Sequence, residues 1–106
     1  MQIKVNDVFY GNDDGCLFQV IKVLASGKVR IRRIGRKIIK SFPKEYYHLV
    51  LPDINNFIRD DDEKGILKEI KYFDDGRPYL SFSSYPYLAH LWDGKELIRS
   101  EEWVNV

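Results

Sequence analysis

A single cysteine, Cys16, stands in the 106 residues, so no internal disulfide can form and folding cannot depend on oxidation. The uncharged stretch Leu80 to Trp92 is interrupted by serines, Pro86 and His90, and nothing approaches the roughly 20 apolar residues of a membrane span. The opening MQIKVND lacks the apolar stretch of a secretion signal, so the expectation is a cytoplasmic protein with no membrane partner. There is no phosphate-binding glycine loop and no nucleophile elbow. His48 and His90, with one cysteine, do not have the spacing of a zinc site, and Asp60–Glu63 lacks the alternation of a calcium loop. Neither a metal nor a cofactor is expected, and Cys16 reads as a small core residue.

What is present is the composition of a folded domain. Hydrophobic residues make up 44% and charged residues 31%, which excludes disorder as the default. The length suits one domain, 1–106, with a small core. The net charge of +1 conceals a segregation. Lys28 to Lys44 carries eight basic residues and no acidic one, while Glu45 to Asp75 carries nine acidic residues and four basic ones.

Local patterns are mostly those of strands. CLFQVIKVL (Cys16–Leu24) is apolar on both faces, which predicts a central strand. KVRIRRI alternates Val29 and Ile31 with Arg30 and Arg32, one dry side and one basic side. Gly35 reads as a break, with RKIIKSF a third strand beyond it. Phe42–Asp53 reads as a crossing segment with one helical turn at Lys44–Tyr47, and the stretch around Asp60–Glu63 as a loop or short helix. Gly65–Phe82 reads as a hairpin about a three-residue Asp74-Asp75-Gly76 loop, which sets Tyr72 opposite Pro78 and Ile70 opposite Leu80. That register places Ile66, Ile70, Tyr72, Leu80 and Phe82 on one face. Asp93-Gly94 signals a second, two-residue hairpin, with Trp92 opposite Lys95 and Ala89 opposite Ile98. The fold class expected is mainly β: a small twisted antiparallel sheet or partly open barrel with little helix.

The stretch YLAHLWDGK (Tyr87–Lys95) follows a Gly-Arg-Pro-Tyr hairpin and the serines of SFSSY. With the opening KVNDVFY…FQVIKV…GKVRIR, it resembles a group of small uncharacterised proteins of bacteriophages and mobile elements. Their shared feature is a C-terminal Tyr-x-Ala-x-x-Trp-Asp-Gly-Lys-like signature. Members carry a longer insert after the first strand, where this chain has GNDDGC. The resemblance implies context: a protein that acts in the host cytoplasm by binding and blocking a host component.

Two groups of residues are candidates for binding. Lys28, Arg30, Arg32, Arg33, Arg36, Lys37 and Lys40 would line a two-stranded ribbon that can track phosphates or meet an acidic protein surface. No aromatic residues interleave that stripe, which weakens base stacking as its use. Tyr85, Tyr87 and Trp92 are candidate contact aromatics, although Trp92 fits a core position better.

The function these features support is that of a non-enzymatic, phage-type binding protein. Its partner would be a host protein or nucleoprotein complex, such as a nucleic-acid-processing defence complex of the kind anti-CRISPR proteins inhibit. The alternative is a β-module that binds DNA or RNA directly. Pro52-Asp53 and Glu69-Ile70-Lys71 also match by letter the PD-(D/E)xK pattern of metal-dependent nucleases, with Asp53 and Glu69 as ligands and Lys71 placing a water. The flanking helices that core requires are not found in the sequence, so that reading is set aside. An edge at Leu97–Val104, blunted by Arg99, Glu101 and Glu102, predicts a monomer or a weak, salt-sensitive dimer.

Overall fold

The computed structural model describes residues 3–11, 16–45, 47–58, 63–82 and 88–100. Nine strands and no helix occur among them: β1 (Val8–Gly11), β2 (Leu17–Val23), β3 (Val29–Phe42), β4 (Tyr47–Phe57), β5 (Ile66–Lys68), β6 (Lys71–Tyr72), β7 (Pro78–Ser81), β8 (Leu88–Leu91) and β9 (Leu97–Ser100). Every pairing is antiparallel, in the order β6-β7-β8-β1-β2-β3-β4-β9, with β5 also on β3. The sheet is open and strongly curled, a half-barrel, as the sequence leads one to expect. Residues 66–72 span the curl, since β5 pairs with β3 while β6 pairs with β7.

Apolar alternation divides the core between the two sides of the sheet. Phe9, Phe18, Val20, Val29, Ile31, Leu80 and Ala89 are buried on the inner side, with Cys16, Ile70, Phe82 and Leu91 packed against them. Val8, Leu17 and Ile34 are buried on the other, beneath Tyr10, Phe57, Trp92 and Leu97. β2 supplies both clusters, which is why it sits between β1 and β3 as its two-sided pattern predicts.

Its one buried polar residue is Gln19, 1% exposed. The side-chain amide donates to Asn6 Oδ1 (2.9 Å) and Asn55 Oδ1 (3.0 Å), and its oxygen accepts the Asn55 N–H (2.8 Å). Asn6 and Asn55 both have left-handed backbones, φ 77° and 69°. Gln19 therefore holds two strained positions from 36 residues apart in one case and 13 in the other.

The loop at Asp74-Asp75-Gly76 forms as expected, with Tyr72 opposite Pro78 and Lys71 opposite Tyr79. Phe73 N–H donates to Arg77 O and Gly76 N–H to Phe73 O, both 2.9 Å, and Gly76 has φ 90°. The Arg77 backbone N–H, with its guanidinium beside it, holds the Asp75 carboxyl below its ordinary value. Ile66 does not join this hairpin: it lies opposite Ile31 on β5 and is 50% exposed.

Three further expectations are corrected. Gly35 does not end a strand, because β3 runs unbroken from Val29 to Phe42. A Cβ there would lie 2.5 Å from Asn56 Nδ2, so this glycine admits a close neighbour instead of making a turn. Phe42–Asp53 is no crossing segment and has no helical turn among its described residues; the Phe42 carbonyl accepts the Glu45 N–H (3.1 Å) in a β-turn that joins β3 to β4. Pro43 occupies the second turn position, where its fixed φ is suited.

The third correction concerns Asp93-Gly94. The turn exists: Gly94 has φ 91° and Lys95 N–H donates to Asp93 Oδ1 at 3.0 Å. It does not fold β9 onto β8. β8 already has β1 and β7 on its two edges, so the chain carries β9 across to β4. Ala89 is buried, whereas Ile98 is 64% exposed. Among the described residues β9 is an edge strand through Ser100; residues 101–106 lie outside that set.

Candidate partner-binding surface

Because β3 is continuous, its cations do not make one stripe. Arg30 and Arg32 share the face of Ile34, while Arg33 lies opposite Phe18 on the inner-core side. Arg36, opposite the buried Pro52, continues the Arg30–Arg32 side. Lys37 is opposite Leu51 and faces the other way. A register shift between Ile38 and Lys40 then brings Lys40, opposite Leu49, onto the Lys37 face. Lys28 precedes the strand and is exposed in the turn before it.

The second half of β3, with β4 and β9, forms a three-stranded arm beyond the end of the β2 pairing at Ile34. Directly opposed residues share a face. One face of the arm carries Arg36, Ile38, Val50, Pro52 and Leu97; Val50 and Pro52 are buried and Leu97 packs over Val8, Leu17 and Ile34. The other face carries Lys37, Lys40, Phe42, Tyr47, Leu49, Leu51 and Ile98. Phe42 and Tyr47 stack with centroids 4.6 Å apart, and Lys40 Nζ sits 4.9 Å from the Phe42 centroid. Lys37 and Lys40 are exposed, the rings and leucines are half-buried, and Ile39 at the register shift is 45% exposed. Two aromatic rings therefore adjoin the lysines here, Phe42 from the end of β3 and Tyr47 brought across from β4.

This combination was hidden in the sequence because Phe42 and Tyr47 become neighbours only through the turn between them. Pro43 in a turn position was the signal that could have revealed it.

On the opposite side, Arg32 lays its guanidinium 4.2 Å from the Phe57 centroid, and its buried Nε has no hydrogen-bond partner. Lys22, not singled out from the sequence, lies directly opposite Arg30. Asp60, Asp61 and Asp62 lie outside the described residues; Glu63 is exposed.

Trp92 packs over the second cluster and donates its Nε1–H to the Lys95 carbonyl at 2.6 Å, which makes it a structural residue first. Tyr85 and Tyr87 lie outside the described residues. His90 lies between Tyr10 and Phe73, with Tyr79 stacked on Phe73 at 4.2 Å, so these rings cover one another. Ser41 Oγ and His48 Nδ1 are 2.8 Å apart on the arm, an exposed pair. Asp53 accepts from Asn56 Nδ2 (3.2 Å) on β4, whereas Lys71 is on β6 beside β7, and Glu69 is exposed between β5 and β6. Among the described residues, no three His, Cys, Asp or Glu side chains gather where a metal could sit. Nor is any helix long and apolar enough to cross a membrane among them.

No family model, curated protein or solved structure matches the chain.

Proposed function

We propose that this protein acts by binding rather than catalysis, and that the Lys37–Lys40–Phe42 face of the β3–β4–β9 arm meets an acidic, partly apolar surface of a partner protein. The observation that carries this reading is the shared face of Lys37, Lys40, the Phe42–Tyr47 stack, Leu49, Leu51 and Ile98. An apolar, aromatic centre with cations around it has the make-up of a protein interface. The rings already stack on each other and on Lys40, and the aliphatic residues give a nucleobase nothing to pair or stack with. The resemblance to phage-type proteins supports a host component as partner, a nucleic-acid-processing defence complex among them.

The test compares wild-type protein with a Lys37→Glu/Lys40→Glu double variant as baits in a bacterial lysate at low salt. Capture of a partner is expected to drop at least about tenfold, equivalent to 1.4 kcal/mol, since two contact charges are reversed. A Lys22→Glu control on the opposite side should capture as wild type does. Equal capture by all three baits would remove the arm from the interaction.

One observation favours a second reading, direct binding of DNA or RNA. Arg30, Arg32 and Lys22 share the other side of the sheet, with Arg32 stacked on Phe57 and its Nε unpartnered. On this reading the log of the affinity for duplex DNA falls by about 0.9 per phosphate contact for each tenfold rise in salt. An Arg30→Ala/Arg32→Ala variant would weaken binding to all sequences alike. A salt-independent affinity would end that reading.

A further inference from the structure

The arm offers an edge as well as a face. β2 stops pairing with β3 at Ile34, opposite Leu17, whereas β3 continues to Phe42. From Lys37 to Phe42 its far edge faces no strand among the described residues, because β4 occupies only one side. These six positions span about 20 Å at 3.3 Å per residue, enough for one short strand. An open edge of this kind displays backbone N–H and C=O groups that a second strand can satisfy.

The charges around this edge select its occupant. Lys37 and Lys40 stand on it, Lys44 follows in the turn, and no acidic residue occurs between Lys28 and Lys44. A second copy of β3 would place lysine against lysine, which is the usual way an edge is protected from its own kind. An acid-bearing strand meets the opposite situation, with favourable cross-strand charge pairs. Ile38 and Ile39, 46% and 45% exposed, give apolar contacts for alternate side chains of the incoming strand.

We propose that the partner adds an extended, acidic β-strand along β3 at residues 37–42. This rests on the arm's being the binding surface, and it adds the mode of contact and the chemistry of the bound segment.

The probe is a ten-residue synthetic peptide alternating glutamate with valine and threonine, at millimolar concentration, with the protein labelled for NMR. Backbone amides within Lys37–Phe42 that point away from β4 are expected to exchange at least about tenfold more slowly with peptide bound, as newly bonded donors do. The same peptide N-methylated along its bonding edge should give no protection, and neither should a version with lysine for glutamate. Because the modification is in the probe, the protein's folding is unaffected. Shifts at Phe42, Tyr47, Leu49 and Ile98 without edge protection would overturn strand addition while leaving the arm as the binding face. Protection by a single-stranded oligonucleotide and not by the peptide would overturn both. Equal protection by the N-methylated peptide, or no response to the acidic one, would overturn the strand proposal alone.

Discussion

Gln19→Glu is expected to cost about 3 kcal/mol of unfolding free energy and to lower the thermal midpoint by about 12–20 °C in a domain of this size. The substitution changes one amide nitrogen to oxygen and almost nothing in shape. It removes both donations, to Asn6 Oδ1 and Asn55 Oδ1, and turns a carboxylate oxygen toward those two acceptors in a site 1% exposed. The Asn55 N–H bond to Oε1 survives, which keeps the position occupied and the comparison clean. Both asparagines stand at positive φ, so the lost restraint acts on backbones that L-residues adopt reluctantly. Burial raises the new carboxyl's pKa above the unfolded value of about 4.3. The sign follows: its contribution is best below that pH, where the protonated group can donate one bond, and worsens as pH rises through the folded value. Gln19→Leu should be milder, because Asn6 and Asn55 are exposed and can turn to water. Thermal unfolding at pH 4 and pH 7 measures both effects. An unchanged midpoint at pH 7 would mean that the clip contributes nothing to the fold.

Gly65→Ala is expected to cost about 3 kcal/mol, with strand β5 loosening first. Two causes add. The residue has φ 78°, which costs a side-chain-bearing residue about 1–2 kcal/mol. A Cβ would also stand 2.7 Å from the Ile31 carbonyl oxygen and 3.0 Å from Ile21 Cδ1. The first of these is backbone inside the β3–β5 pairing and cannot swing aside. Gly76→Ala separates the causes, since its φ is 90° with nothing within 4 Å, so only the backbone cost of about 1–2 kcal/mol applies. Denaturant unfolding of the two variants gives the difference, and amide exchange at Ile66 and Lys68 locates it. Equal losses in the two would show that β5 shifts without cost and that the curl is not closed tightly at Ile31.

Which features were legible in the sequence follows from how far apart their causes lie. The Asp74-Asp75-Gly76 loop needed only its own residues and the pattern on either side, and its register came out as read. β2 declared its central place by carrying apolar side chains on both faces. Gly35 reads as a break from the sequence, but Asn56, which reaches it from β4, makes it a point of close approach within a continuous strand. Asp93-Gly94 was correctly a turn, yet its strands found other partners because both edges of β8 were taken. The candidate surface suffered most. Arg33 and Arg36 look like neighbours of Arg30 and Arg32 in a list of cations, but an unbroken strand sends Arg33 to the opposite side from the other three.

By itself, then, the sequence determined that this chain makes strands, that turns fall at Asp74-Asp75-Gly76 and Asp93-Gly94, that β2 is apolar on both faces, and that the basic charge gathers in one segment. Those properties are set by side-chain alternation and turn chemistry within a few residues. Only the tertiary structure decided which strand lies beside which, which lysines share a face with Phe42 and Tyr47, and which edge of β3 is left open. Strand pairing joins residues far apart in the chain, and one register shift, at Ile38 and Lys40, moves a charge from one side of the sheet to the other.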